Sequence, residues 1–271
     1  YRLTLTFGVS ASFLTKLGLE KKRPKLFRDL PAFPKEQLRE QYTGGDIVIQ
    51  ACADDEQVAF HAVRNLIRKG RNKVTMKWSQ SGFAAIGDRM ETPRNLFGFK
   101  DGTANVTTEK DFDKVVWADS QDWMKNGSYM AVRRIIMHLE TWDRTNLQEQ
   151  ENTFGRYKES GAPFGKKDEF DEVDLSLLPV DSHVRLAKEV DLPILRRSYS
   201  YSDGIDPKTG QFDAGLLFIA FQKDPDRFVK IQTNLGADDK MNEYVTHIGS
   251  GLFACFGGVK EGGYIGQDLF E

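Results

Sequence analysis

Along this chain the apolar and polar positions follow two rhythms, a period of two and the longer beat of a helix. Arg2-Leu-Thr-Leu-Thr-Phe-Gly-Val-Ser10 alternates at period two and predicts a strand, and Asp46-Ile-Val-Ile-Gln-Ala-Cys-Ala53 predicts a second, largely buried one. Residues 21–42 between them are basic and punctuated by proline, which predicts a loop. Asp54-Asp55-Glu56 opens a helix running to about Lys69, because acidic residues in its first turn and Arg68-Lys69-Gly70 at its end complement the helix dipole and supply a stop. Val74-Thr-Met-Lys-Trp-Ser-Gln-Ser-Gly82 reads as a further strand, so this region predicts an antiparallel sheet with a helix packed on it.

The pattern then recurs. Met130-Ala-Val-Arg-Arg-Ile-Ile-Met-His-Leu-Glu-Thr-Trp142 alternates, with Ile135, Met137 and Leu139 on one face. Arg196-Arg-Ser-Tyr-Ser-Tyr-Ser202 leads through the turn Asp206-Pro-Lys-Thr-Gly210 into Ala214-Gly-Leu-Leu-Phe-Ile-Ala-Phe-Gln222, a hairpin. Asp224-Pro225 starts a helix to about Asn234, a second helical segment is expected over 239–248, and Gly251-Leu-Phe-Ala-Cys-Phe256 closes with a strand. The two halves read as related α+β units without an exact repeat. Residues 155–181 are polar and irregular, the kind of long loop that is usually functional or mobile.

Composition narrows the class. A chain of 271 residues with 39% hydrophobic and 29% charged positions has the make-up of an ordinary globular protein of one large or two smaller domains. The formal net charge of −2 gives no global basic field for nucleic acid, and no apolar run approaches the ~20 residues of a membrane span. The chain opens at Tyr1 inside a strand pattern without an initiator Met, so a removed leader or N-terminal segment is expected. Cys52 and Cys255 sit in apolar runs and read as buried free thiols.

Candidate chemistry concentrates in two places. Asn95-Leu-Phe-Gly-Phe-Lys-Asp-Gly-Thr-Ala-Asn105 confines the carboxylate of Asp101 between glycines suited to a sharp turn and the apolar walls Phe97 and Phe99, unless it is simply an Asp-Gly turn. Of the four histidines, His61 reads as helix surface, His138 as structural or exposed opposite Ile135 and Met137, and His247 as packing in the penultimate helix. His183 differs, following an acidic irregular loop within Asp181-Ser-His-Val-Arg-Leu-Ala187. A lone histidine cannot close a zinc site, but one can be the sole protein ligand of a heme iron. Phosphate-binding Gly-rich loops and a Gly-x-Ser-x-Gly elbow are missing from the sequence, and with them the main support for nucleotide and serine-hydrolase chemistry.

The Asp101 loop resembles the Gly-x-x-Asp-Gly signature of dye-decolourising peroxidases. Its companions occur in the same order: Val132-Arg-Arg-Ile135 with Glu140-Thr-Trp-Asp-Arg144, Ser182-His-Val-Arg-Leu-Ala187, Leu195-Arg-Arg-Ser-Tyr-Ser200 and Gly215-Leu-Leu-Phe-Ile-Ala-Phe-Gln222. The match covers about 95–256 and is weaker in the N-terminal third. The wording is most similar to the secreted bacterial branch, which includes the peroxidase component of ferrous iron uptake systems.

That resemblance implies an α+β fold of two ferredoxin-like domains, 1–110 ending in the Asp101 loop and 111–271 binding one non-covalent heme b. Residue by residue it makes His183 the axial ligand of the heme iron and Asp101 the distal acid-base group, with a distal arginine in Leu195-Arg-Arg197. Strand parity favours Arg196, which sides with Ser198 and Ser200, over Arg197, which sides with Tyr199 and Tyr201. Asn105 would orient a distal water or peroxide, or serve as a turn residue. Asp239 would accept the second imidazole N–H, with an N-cap role as its competitor. Arg185 and Arg134 would meet the heme carboxylates, or form surface ion pairs instead.

The implied activity is hydrogen-peroxide-dependent oxidation of bulky dyes and phenolic donors in one-electron steps. Trp117, Trp123, Trp142, Tyr129, Tyr199 and Tyr201 are available as surface relays. The alternative is an iron-acquisition component that oxidises Fe(II) or extracts iron from heme, as a deferrochelatase does. An iron permease system and a second copy of the chain are the partners it would allow, and the branch implies export by a twin-arginine route.

Overall fold

The computed structural model describes residues 1–84 and 91–271. Seven strands form one antiparallel sheet: β1 (Thr4–Val9), β2 (Ile47–Cys52), β3 (Ser128–Met137), β4 (Leu195–Arg196), β5 (Tyr199–Ile205), β6 (Phe212–Gln222) and β7 (Val245–Cys255). Their order is β2-β1-β7-β3-β6-β4, with β5 also paired to β6. The helices are α1 (Ala11–Lys16), α2 (Glu56–Lys69), α3 (Glu109–Val115), α4 (Leu139–Trp142), α5 (Leu147–Phe154), α6 (His183–Glu189), α7 (Pro225–Asp238) and α8 (Gln267–Phe270). This is the mixed, antiparallel α+β architecture expected from the pattern.

Local chemistry explains the main elements. The Asp55 side chain caps α2 by accepting from the backbone N–H of Gln57 at 2.7 Å, and α7 has Asp224 as N-cap with Pro225 in its first turn. The β3 run is covered on both faces, as its nearly continuous apolar sequence requires. One face of the sheet carries Tyr129, Ala131 and Leu252 under α7, through Phe228. The other carries Met130, Val132, Leu217, Ile219 and Phe253. The sheet curls around this second face until its edges meet, where Cys52 Sγ on β2 lies 3.2 Å from the Tyr199 hydroxyl on β5. Both cysteines are free, Cys255 buried and Cys52 half-buried.

Three expectations are corrected. Residues 74–82 form no strand. They are held by side chains, Trp78 Nε1 donating to Gly44 O at 3.0 Å and Lys77 Nζ to Thr43 O at 2.7 Å, and backbone pairing appears only where Phe83 meets Ser200. The strand expected through Trp142 ends at Met137, where the His138 N–H bonds Tyr244 O and the chain turns into α4. The helix expected over 239–248 shrinks to a 3-10 turn at Lys240–Glu243, and His247 stands on β7 opposite Ile135, because Val245 and Thr246 complete the ladder with β3.

Candidate active site

The loop carrying Asp101 is built to be rigid. The Asn95 side chain accepts from the N–H groups of Phe97 and Phe99, and Gly98 takes a φ of +82° that a residue with a Cβ adopts only under strain. Phe97 stacks on Trp142 with centroids 4.3 Å apart, and Phe99 on Phe154 at 3.9 Å. These two rings were expected to wall Asp101. They are instead driven into the core and anchor its loop. Arg94 donates to the carbonyls of Gly98, Lys158 and Glu159. Lys100 and Thr103 both bond Glu169, which ties the long 155–181 loop to the Asp101 loop.

Thus held, Asp101 points at Arg196 and their side chains form an ion pair. Asn105 sits behind this contact. Its Nδ2 donates to Arg196 O and its Oδ1 accepts from Arg196 N, both at 2.8 Å. The amide expected to face a distal water is therefore engaged by backbone, and Asn105 positions Arg196. Cross-strand register pairs Arg196 with Ala220 and Ala220 with Ala131, so Arg196 projects from the α7 side of the sheet. Arg197 projects from the other side, beside Tyr199.

His183 is the first residue of α6, which packs on α7. Its Nδ1 lies 2.7 Å from Asp239 Oδ2, while Asp239 Oδ1 accepts from Met241 N at 2.8 Å. Asp239 thus does both jobs weighed for it, capping the 3-10 turn and holding the histidine. Burial opposes protonation of His183, but the charge and hydrogen bond of Asp239 outweigh it and raise the imidazole above its ordinary value. Since an ionised carboxylate only accepts, the neutral imidazole carries its hydrogen on Nδ1 and keeps the Nε2 lone pair free. The charges of Arg196 and Asp101 also act on His183, so the two groups share one region of the molecule.

The remaining expected residues lie elsewhere. Arg185 is bound by Glu189 and by the carbonyls of Leu175 and Leu178. Arg134 is sealed between the rings of Tyr42 and Tyr201 and bonds Gln80, Asp203 and Asp213. Arg185 thus makes the surface ion pair weighed for it, with Glu189, whereas Arg134 is buried in its ion pairs. Sequence reasoning missed Arg133, which shares the face of Arg196 through its pairing with Phe218 and Ser250. Its Nη1 bonds Ser250 Oγ, its Nη2 meets Glu36, and its buried Nε has no partner among the described residues. Burial lowers it to about 10. Also on this face, His247 is pushed down to about 3 by burial and by the positive charges of Arg133 and His183. The doubled arginine at 133–134 was visible in the sequence, but nothing there fixed which member faced the site. Of the six candidate relay aromatics only Trp117 is exposed, Tyr199 is half-buried and the other four are buried.

Family models described as "Dyp-type peroxidase, N-terminal" and "Dyp-type peroxidase, C-terminal" match residues 1–84 and 92–260. The deferrochelatase of Escherichia coli K12 is 40% identical over 294 aligned positions, covering 99% of this chain and 69% of that protein. The structure of DtpA from Streptomyces lividans in an oxyferrous complex superposes with a TM-score of 0.94 at 39% identity, covering 99% of this chain and 78% of that one. A DyP-type peroxidase from Streptomyces coelicolor gives the same score, identity and coverage.

Proposed function

The chain belongs to the Dyp-type peroxidase family and is a heme peroxidase, and we propose that it holds its heme b on the α7 side of the sheet, between His183 and the Asp101 and Arg196 pair. The observation that carries this is the His183 to Asp239 hydrogen bond at 2.7 Å, which leaves Nε2 as the one ligand atom offered to iron. The donor set fits in other respects. On β6, Leu216 and Phe218 on this face stay half-buried although the strand is internal, while Leu217 and Ile219 on the opposite face are buried. Such partly open apolar positions suit a flat hydrophobic group. For its carboxylates Arg133 is a better candidate than Arg134 or Arg185: Arg133 and Arg134 each leave one buried N–H without a partner among the described residues, but only Arg133 lies on this face, and Arg185 is engaged by Glu189 and two carbonyls.

When bound, the heme supplies an iron centre that accepts oxidising equivalents from peroxide and releases them singly. The chain supplies the rest. Asp239 fixes the His183 tautomer and enriches its ring in electron density. Asp101 takes the proton that neutral hydrogen peroxide must lose and returns it to the outer oxygen as the O–O bond breaks. Arg196 directs guanidinium N–H groups at the negative charge growing on that oxygen. Asn105 and the aromatic anchors of the loop keep the two groups in register.

Bulky dyes and phenols are the donors proposed. The name of the Escherichia coli relative, deferrochelatase, favours a second reading, in which iron is taken from heme; oxidation of Fe(II) for a permease is the other form of that iron-acquisition reading. Steady-state turnover with Fe(II) against turnover with an anthraquinone dye separates the two. Among the described residues no helix is long and apolar enough to cross a membrane. Export by a twin-arginine route, self-association, and a domain division near residue 110 belong to the same proposal.

The test is the absorption spectrum of heme-loaded protein before and after one equivalent of hydrogen peroxide, in wild type and His183→Ala. A histidine-ligated spectrum that responds to peroxide in wild type and is lost in the variant is the expected result. Retention of that spectrum in His183→Ala, with loss in His247→Ala, overturns the ligand assignment.

A further inference from the structure

The face of the sheet turned away from His183 has a pocket of its own, and we propose that it binds small aromatic carboxylates. A cavity of about 330 Å³ opens where the first two strands approach β4 and β6, walled by Trp117, Phe221 and Phe256, with Cys52, Cys255 and Arg197 also lining it. That volume lies at the lower end of the ~300–1,000 Å³ range of small-molecule sites, enough for one ring with a short acid tail.

Charge selects the ligand. Among the described residues Arg197 is the only Asp, Glu, Lys, Arg or His in the lining, and none of their carboxylates competes for its guanidinium inside the pocket. It forms no ion pair among the described residues and its neighbour is the Tyr199 phenol. Burial pushes the Cys255 thiol up to about 12, and burial together with Cys52 raises Tyr199. A single cation beside an exposed indole, Trp117 being 43% exposed, favours an anion with a flat apolar body. The carboxylate takes the two-pronged guanidinium while the ring packs on indole and phenyl. Inorganic phosphate would find one cation and aromatic walls that give it nothing.

The pocket is separate from the peroxide chemistry. Arg196 and Arg197 project from opposite faces of one strand, so a molecule bound to Arg197 displaces nothing between Asp101 and His183.

The experiment titrates the heme-loaded protein with 4-fluorocinnamate and, separately, with its uncharged amide, followed by ¹⁹F NMR and by the heme absorption band. Saturable binding of the acid is expected, at least tenfold tighter than that of the amide, with the heme band unmoved. Arg197→Leu and Trp117→Ala should each weaken it at least tenfold, and Arg197→Lys should restore part. Should Arg197→Leu prove misfolded by circular dichroism, Arg197→Gln decides. The proposal fails if neither compound binds, if acid and amide bind equally, or if folded Arg197 variants bind the acid unchanged. It also fails if the acid shifts the heme band and is lost in Arg196→Leu, since the ligand then sits on the iron side.

Discussion

Arg133 and Arg134 are adjacent on one strand and equally sealed from water, yet the two faces of the sheet treat them in opposite ways. Around Arg134, burial works against the charge, but Tyr201, Asp203 and Asp213 more than offset it and the guanidinium is held above its ordinary value. Arg133 has one carboxylate, Glu36, and an orphan Nε, and burial lowers it. The difference lies in the number of partners, because a buried charge is tolerated in proportion to the groups that replace its water. Each arginine leaves one buried nitrogen without a partner among the described residues, Nε of Arg133 and Nη1 of Arg134, but Arg134 is gripped by two carboxylates, by Gln80 and by two phenol rings. Arg133, with a single carboxylate beside it, lies on the face where a cofactor with carboxylates would add another. The same division runs through Arg196 and Arg197, one meeting Asp101 and the other lining an aromatic pocket.

Disabling chemistry on one face alone tests this division most sharply. Asp101→Asn is expected to retain heme but slow the reaction with peroxide by ~10²–10⁴, the range for a lost acid-base group. Stopped-flow absorbance measures it, and unchanged kinetics across pH would remove Asp101 from the mechanism. Next in size, Arg196→Leu should slow the same step by ~10²–10³. The same change at Arg197 should fall far short of that. If Arg197→Leu has the larger effect, the assignment of faces is reversed.

A third effect concerns stability. His247 is held near 3 in the fold against an ordinary 6.5, so between these values the unfolded chain binds the proton and the folded chain does not. Its contribution is fully present above about pH 6.5 and is lost as pH falls toward about 3, on the order of 3–5 kcal/mol if no other group relaxes. Other carboxylates also titrate in this window, which makes the difference between proteins the useful quantity. Urea unfolding of His247→Gln should show a shallower loss of stability between pH 6.5 and 4 than wild type. Equal slopes would mean that acid reaches His247 in the folded state.

Much of this division was legible in the sequence. Strand parity put Arg196 and Arg197 on opposite faces, and the Asp101 loop declared itself through its glycines and aromatics. Parity is a local property, and it survives folding. What was hidden depends on partners distant in sequence. The roles of Phe97 and Phe99 required Trp142 and Phe154, and the face of Arg133 required Glu36 and Ser250. His247 was misread because β-branched Val245 and Thr246 gain a ladder only once β3 lies beside them. The alternation of 74–82 misled for the converse reason, since side-chain bonds to 43–44 produce the same period without a ladder.

Asn105 gives the smallest effect and the finest test of how the peroxide face is held. Its amide acts as one more strand neighbour, giving a hydrogen bond to Arg196 O and taking one from Arg196 N. Asn105→Ala removes both and leaves a partly buried backbone pair to find water, at a cost of about 1–3 kcal/mol. Asn105→Asp keeps the acceptor but sets a second oxygen against the Arg196 carbonyl, so it should cost more than its size suggests. If this bridge keeps Arg196 on Asp101, both variants lower the urea midpoint and slow the reaction with peroxide by about tenfold, Asp more than Ala. If the midpoint falls while the rate holds, the register between the two groups is maintained by the stacked Phe97 and Trp142 and by Arg94 alone, and Asn105 serves only the stability of the loop.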